Sequence, residues 1–255
     1  MTSLAQLQSF VINLDRSTER LAAMQQRLAR AGLPWQRVPA VDGRGLDLAR
    51  STAVDVAGYR RWHGKDLNPG EVGCYLSHIE AMRRFLAGPW AYALVLEDDA
   101  DFPPDFQLIV EKLVAQAATW DIVKLSSFHS GTPVRIAALH GPYALAVPLS
   151  RHCNSNSILL NRRAARVLLE QLLPMRLPYD HALERAWLYG LRLRIVTPSP
   201  CPSDSGLSTT IGSPQQVRRL KLPLHQRLPA MLFRLRTELC RLGYGLLHVI
   251  HSRRG

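Results

Sequence analysis

The run Tyr92-Ala93-Leu94-Val95-Leu96 passes without interruption into Glu97-Asp98-Asp99-Ala100-Asp101, and Phe102-Pro103-Pro104 then breaks the chain sharply. Such a run predicts a buried strand that delivers four carboxylates within five positions at its carboxyl end. Like charges this close raise one another's pKa, and a bound cation removes the conflict. Hard oxygen ligands select Mn²⁺ or Mg²⁺, with substrate phosphates completing the shell, so a nucleoside diphosphate is the natural companion. Open α/β sheets bind ligands outside the carboxyl ends of their strands, where this run is expected to lie. A solvated acidic turn is the plainer reading, and it fits less well after a buried strand.

The rest of the chain alternates in a way that predicts an α/β fold. Phe10 to Leu14 reads as a strand, Ser17 to Ala31 as a helix stopped by Gly32, and Trp35 to Val41 as a second strand closed by Asp42-Gly43. That is a βαβ-like opening and implies a parallel sheet. Residues 44 to 68 hold no sustained period and suggest an irregular connection. Asn68 as cap, Pro69 at the first helical position and Glu71 in capping-box position open a helix with its apolar stripe on Val72, Leu76, Ile79, Phe85 and Leu86. On its other side, Glu71, Tyr75 and His78 share a polar face. Residues 106–118 read as a helix, 121–125 as a strand, 126–141 as loop, 157–160 as a strand and 162–173 as a helix. Pro178-Tyr179-Asp180 reads as a turn into a helix over 181–189, followed by a strand over 191–196 and a Pro- and Ser-rich stretch to 214.

Two halves of unequal size are expected: a catalytic domain over 1–213 and a tail over 214–255. The chain of 255 residues, 47% hydrophobic and 20% charged, is long enough for one sizeable core. Its four cysteines, far apart and without a CxxC pair, suggest neither a disulfide framework nor a zinc site and favour a reducing cytosol. The opening Met1 to Gln6 is not a secretory leader, and no apolar stretch reaches the length of a spanning helix. Of the net charge of +12, much sits in the tail, where nine Lys or Arg face Glu238 alone. Over 225–250 the tail places Leu228, Met231, Leu232, Leu235, Leu239, Leu242 and Leu246 on one helical face and Arg227, Arg234 and Arg241 on another. Such a basic amphipathic helix can lie on an anionic membrane, cover the sheet or pair with a second chain.

The site residues follow from these placements. Asn13 and Arg16, after the first strand, are expected to bind the donor, as are Asp98 and Asp99; Glu97, Asp99 and Asp101 are the expected metal ligands. The chain then carries a resemblance. Phe10-Val11-Ile12-Asn13-Leu14-Asp15-Arg16 with Arg20, Ala40-Val41-Asp42-Gly43, Gly70 to His78 and Leu94 to Asp99 look like successive blocks of glycosyltransferase family 25, in order and spacing over about residues 9 to 200. The resemblance implies a GT-A-like, Rossmann-type, mostly parallel sheet flanked by helices, a metal-bound acidic motif, and inverting transfer, most often from UDP-galactose. It implies a lipopolysaccharide or other cell-surface glycan as acceptor; the tail helix would bring a cytoplasmic chain to the inner face of the inner membrane, where a lipid-linked acceptor is anchored, and no nucleic-acid partner is expected. Pro178-Tyr179-Asp180 matches the family's later Pro-x-Asp element, which makes Asp180 the expected base, with Glu71 second and His78 placing donor phosphate or acceptor. Asn154-Ser155-Asn156-Ser157 departs from the family pattern, so the sugar is less fixed than the reaction. A metal-dependent phosphohydrolase and a non-enzymatic basic binding module are the rival classes.

Overall fold

The computed structural model describes residues 3–48, 50–127, 131–201 and 219–252. Eight strands form one sheet in the order β2-β1-β3-β7-β4-β8-β6-β5. They are β1 (Leu7–Asn13), β2 (Trp35–Pro39), β3 (Tyr92–Glu97), β4 (Ile122–Lys124), β5 (Pro133–Ala138), β6 (Ala144–Pro148), β7 (Ser157–Asn161) and β8 (Leu193–Thr197). Helices α1 (Thr18–Arg30) and α4 (Phe106–Ala115) cover one face. On the other lie α2 (Val56–His63), α3 (Pro69–Ala87), α5 (Arg162–Gln171) and α6 (Tyr179–Leu183). Every residue of β1 is buried, as the apolar run predicts for a central strand covered on both sides.

The α/β class is as expected, and the sheet is mixed: most strands run one way, with β6 and β7 opposed to them. β1 pairs in parallel with β2 and β3, and β4 with β8. β7 is antiparallel to both β3 and β4, as β6 is to β8 and to β5. The βαβ pattern holds only where a helix joins the strands. Beyond β4 the chain turns back through the β5–β6 hairpin and enters between β3 and β4 from the opposite end. The carboxyl ends of β1, β2, β3, β4 and β8 nevertheless share one edge, and the amino end of β7 joins them there.

Other departures have local causes. The stretch read as loop contains β5, an edge strand that begins at Pro133 and is half-buried with little alternation. The irregular connection contains α2, only eight residues long, capped by Asp55, whose side chain accepts from Gly58 N at 2.8 Å, and ended by Gly64 at φ 76°. The helix expected over 181–189 is instead the short α6 and a 3₁₀ turn at Ala186–Leu188. The expected boundary at 213/214 lies outside the described residues.

Helix α7 (Leu228–Ser252) closes the chain. It packs through Phe233, stacked on Trp62 at 5.4 Å, through Arg234, which donates to His63 O at 2.8 Å, and through Tyr244, whose hydroxyl bonds the backbone before β8. Arg241, 4% exposed, completes a buried ion triad in which Glu184 takes Lys124 at 2.5 Å and Arg241 at 3.3 Å. Of the alternatives open to the tail helix, covering the fold is realised on its arginine side, and the leucine face points outward.

Candidate active site

The acidic run leaves β3 at the sheet edge, and each carboxylate meets a different neighbour. Glu97 faces α3, with His78 Nε2 3.3 Å and Cys74 Sγ 3.6 Å from its Oε1. Asp98 accepts from Asn13 Nδ2 at 2.7 Å and pairs with Arg20 at 3.0 Å. Asp99 takes the same Arg20 at 3.0 Å, while its Oδ1 is buried without a partner. Asp101 turns away to Arg27 at 3.3 Å and is more than half exposed. Burial pushes the Asp99 carboxyl up to about 6, with the Glu97 charge adding to it and Arg20 opposing. Asp98 is raised too, because desolvation outweighs Arg20 and Asn13.

A cleft of about 370 Å³ opens beside this run, within the size range of small-ligand sites. Glu97 and Asp98 line it together with Arg16, Arg20 and Arg44. Asn68, Pro69 and Gly70 bring the amino end of the 19-residue α3 to its wall, where the helix dipole favours an anion. Two glycines make that approach feasible. A Cβ on Gly43 would stand 1.6 Å from Pro69 O, and one on Gly73 would stand 2.5 Å from Val41 O. The Val41–Gly43 turn therefore sits directly on the first turns of α3, and Val41 N–H donates to Ser77 Oγ at 2.8 Å. Asp42 on this turn holds Arg44 and Arg16, and these guanidiniums, Arg44 foremost, keep its carboxyl well below the usual range.

A second group of side chains, on α2, α3 and α6, stands outside the residues that line this cleft. Asn68 caps α3 as expected, accepting from Gly70 N at 2.9 Å, but the Glu71 carboxylate is engaged by the Tyr59 hydroxyl of α2. Burial raises the Glu71 pKa, against the Tyr59 bond and the Lys65 charge. His78 is buried, stacked on Tyr179 at 4.1 Å and 12°. Tyr75 does not join the expected polar face: it is buried in the core, and its hydroxyl bonds Leu172 O. Asp180 accepts from His181 N at 2.9 Å and Asn154 N at 3.3 Å. Burial opposes ionisation there, but the His181 and Lys124 charges and these two bonds hold the carboxyl below its ordinary value. Asn154 reaches it with φ at 111°, in the stretch that departs from the family pattern. Asp180 acts electrostatically on Glu71, Cys74 and Lys65, so the two base candidates lie near one another, and of this group only Cys74 lines the cleft.

Three placements differ from expectation. Asn13 is spent internally: it donates to Asp98 and Ser17 O and accepts from Arg37 Nε at 3.1 Å, so it positions Asp98 rather than reaching a ligand. Asp101 lies against α1, outside the cleft lining. Glu97, Asp99 and Asp101 do not converge among the described residues; Glu97 converges instead with Cys74 and His78, and a second group joins Cys153, Asp180 and His181. Arg20, Arg44 and Lys65 are the functional candidates beyond those expected. The signal for Arg20 is its place one turn after Arg16, at the start of the helix that leaves β1.

The family model for glycosyltransferase family 25 (LPS biosynthesis protein) matches residues 6–183. A relative from Rattus norvegicus named "probable inactive glycosyltransferase 25 family member 3" is 32% identical over 182 residues, which is 68% of this chain and 32% of that one. One from Aedes aegypti, a "glycosyltransferase 25 family member", is 36% identical over 121 residues, 45% of this chain and 20% of its own length. The chain thus spans about a third or less of the curated relatives it matches. A solved glycosyltransferase involved in the glycosylation of the major capsid of PBCV-1 aligns with 74% of this chain and 80% of its own, at a TM-score of 0.37 and 9% identity, a likeness from which nothing about this chain follows.

Proposed function

Since the chain belongs to glycosyltransferase family 25, we propose that it moves a sugar from a nucleotide-sugar donor, UDP-galactose first among the candidates, to a hydroxyl of a lipid-linked saccharide or other glycan, with inversion. One observation carries the reading: a single cleft at the carboxyl ends of the parallel strands is lined at once by carboxylates, by three arginines and by a helix amino end. That is the composition a metal-bridged diphosphate needs, with cations for its charge and oxygen ligands for its ion.

A divalent ion fits the acidic run. Asp99 Oδ1 is buried without a partner, and the Glu97 charge adds to the rise in the Asp99 pKa, a conflict that a cation between them would end. Glu97 and Asp99 would hold Mn²⁺ or Mg²⁺, which when bound supplies positive charge for the leaving diphosphate. Arg16, Arg20 and Arg44 bind the donor phosphates, Asn13 fixes Asp98, and His78 orients Glu97. Asp180, ionised and tied by two backbone N–H groups, accepts the proton of the attacking acceptor hydroxyl.

The test is release of UDP from a panel of UDP-sugars, with Mn²⁺ or with EDTA, in wild type and Asp99→Asn. Metal-dependent release from one sugar, raised by a saccharide acceptor and lost in the variant, supports the reading. Release that ignores the acceptor would make the chain a phosphohydrolase. No turnover and no metal-dependent donor binding would refute the transferase reading.

A further inference from the structure

Helix α7 carries an apolar edge that nothing among the described residues covers. Leu228, Leu232, Leu235, Leu239, Leu242 and Leu246, alternately four and three residues apart, are 42–62% exposed, and Ile250 continues the line. The six leucines extend over about 27 Å of helix at 1.5 Å per residue. Single exposed leucines are ordinary, but a contiguous stripe of six along one helix edge marks a contact surface.

The opposite side of the helix is fixed, so the edge cannot turn inward. Arg241 is held by Glu184, Arg234 by His63 O, and a Cβ on Gly245 would stand 2.7 Å from Leu149 Cδ2.

Charge decides the occupant. Exposed Arg219 and Lys221, with half-buried Arg227, lie at the amino end of the edge, and Arg253 and Arg254 follow Ser252 in sequence at the other. Two copies paired along this edge, parallel or antiparallel, would set one cationic end against another. A bilayer surface bearing anionic lipid attracts both ends and takes the leucines into its interfacial layer. Among the described residues no helix is long and apolar enough to cross a membrane, so the helix would lie on the surface rather than span it.

We propose that the outer edge of α7 docks this chain on an anionic membrane surface. A chain docked in this way would meet a lipid-anchored acceptor at the same surface. That consequence rests on the transferase reading; the docking itself does not.

Sedimentation of the full chain with phosphatidylcholine vesicles, with and without phosphatidylglycerol, tests it against Leu235→Gln/Leu239→Gln. Both positions are about 60% exposed, so the melting temperature should not move. Wild type should sediment with the anionic vesicles only, less so at high salt, and the double variant should partition about tenfold more weakly. Wild type left in the supernatant, or a variant that sediments equally, overturns the proposal. So does a dimer in light scattering that the double variant dissociates while no vesicles are bound, since the edge would then belong to a second copy. The assay holds neither donor nor acceptor, and an inactive transferase would leave its outcome unchanged.

Discussion

Asp98 and Asp99 share one guanidinium, that of Arg20, and Asp98 is further steadied by an asparagine that touches no open space. Asn13→Ala would leave Asp98 without its 2.7 Å donor and Arg37 Nε without its acceptor, both near the buried end of β1. Loss of such a buried polar partner costs about 1–3 kcal/mol, expected as a lower urea midpoint at unchanged slope. An unchanged midpoint would mean that water replaces the amide. The two base candidates separate by pH. A base works only when deprotonated, so activity is lost as pH falls through its pKa. Asp180 is held below its ordinary value and Glu71 is raised above its own, by burial in the first place. With Asp180 as base, kcat should show no acid limb above the ordinary carboxylate range, and Asp180→Asn should lower it by about 10²–10⁴-fold. A higher acid limb that disappears in Glu71→Gln would move the role to Glu71.

Elements set how closely the walls of the cleft approach. Gly73 lies on α3 where a Cβ would meet Val41 O at 2.5 Å and Gly43 N at 2.8 Å, both backbone atoms that cannot swing aside. Gly73→Ala should therefore push the turn carrying Asp42 and Arg44 off α3, at about 1–3 kcal/mol of stability, and raise the donor KM. A KM equal to wild type would show that this turn does not frame the donor. The two glycines are visible in the sequence, but their mutual contact is not, since it joins residues thirty positions apart. The same division runs through the whole site. The acidic run marks its centre because composition alone makes four adjacent carboxylates unusual. Which of them faces α1, α3 or the cleft depends on Asn13, Arg20, Arg27 and His78 arriving from other elements. β1 and β3 are legible because both are covered on two faces and read as unbroken apolar runs. β5 is an edge strand, half-buried and opened by proline, and leaves little pattern. The leucine periodicity of α7 is plain in sequence, yet a helical stripe alone does not say whether it faces the protein or the solvent.

At the scale of the whole molecule, the ion triad decides whether the carboxyl-terminal helix is an appendage or part of the fold. Lys124 from the end of β4, Glu184 after α6 and Arg241 from α7 are all nearly inaccessible, so the carboxylate is shared by two buried cations. Glu184→Gln would leave Lys124 without a counter-charge and Arg241 with Glu238 alone, a loss of about 3–5 kcal/mol. For a chain of this size that corresponds to a fall of roughly 10 °C in Tm. Were α7 separable, the substitution would disturb only its docking, and the sheet would melt at the wild-type temperature in a second transition. One cooperative transition, displaced as a unit, is expected instead. The cause can be checked within the same measurement. In Glu184→Gln/Lys124→Met the unpaired lysine is gone and a buried apolar chain takes its place, so part of the lost Tm should return. Failure to return would mean that the carboxylate acts through its bond to His152 N rather than through the charges it balances.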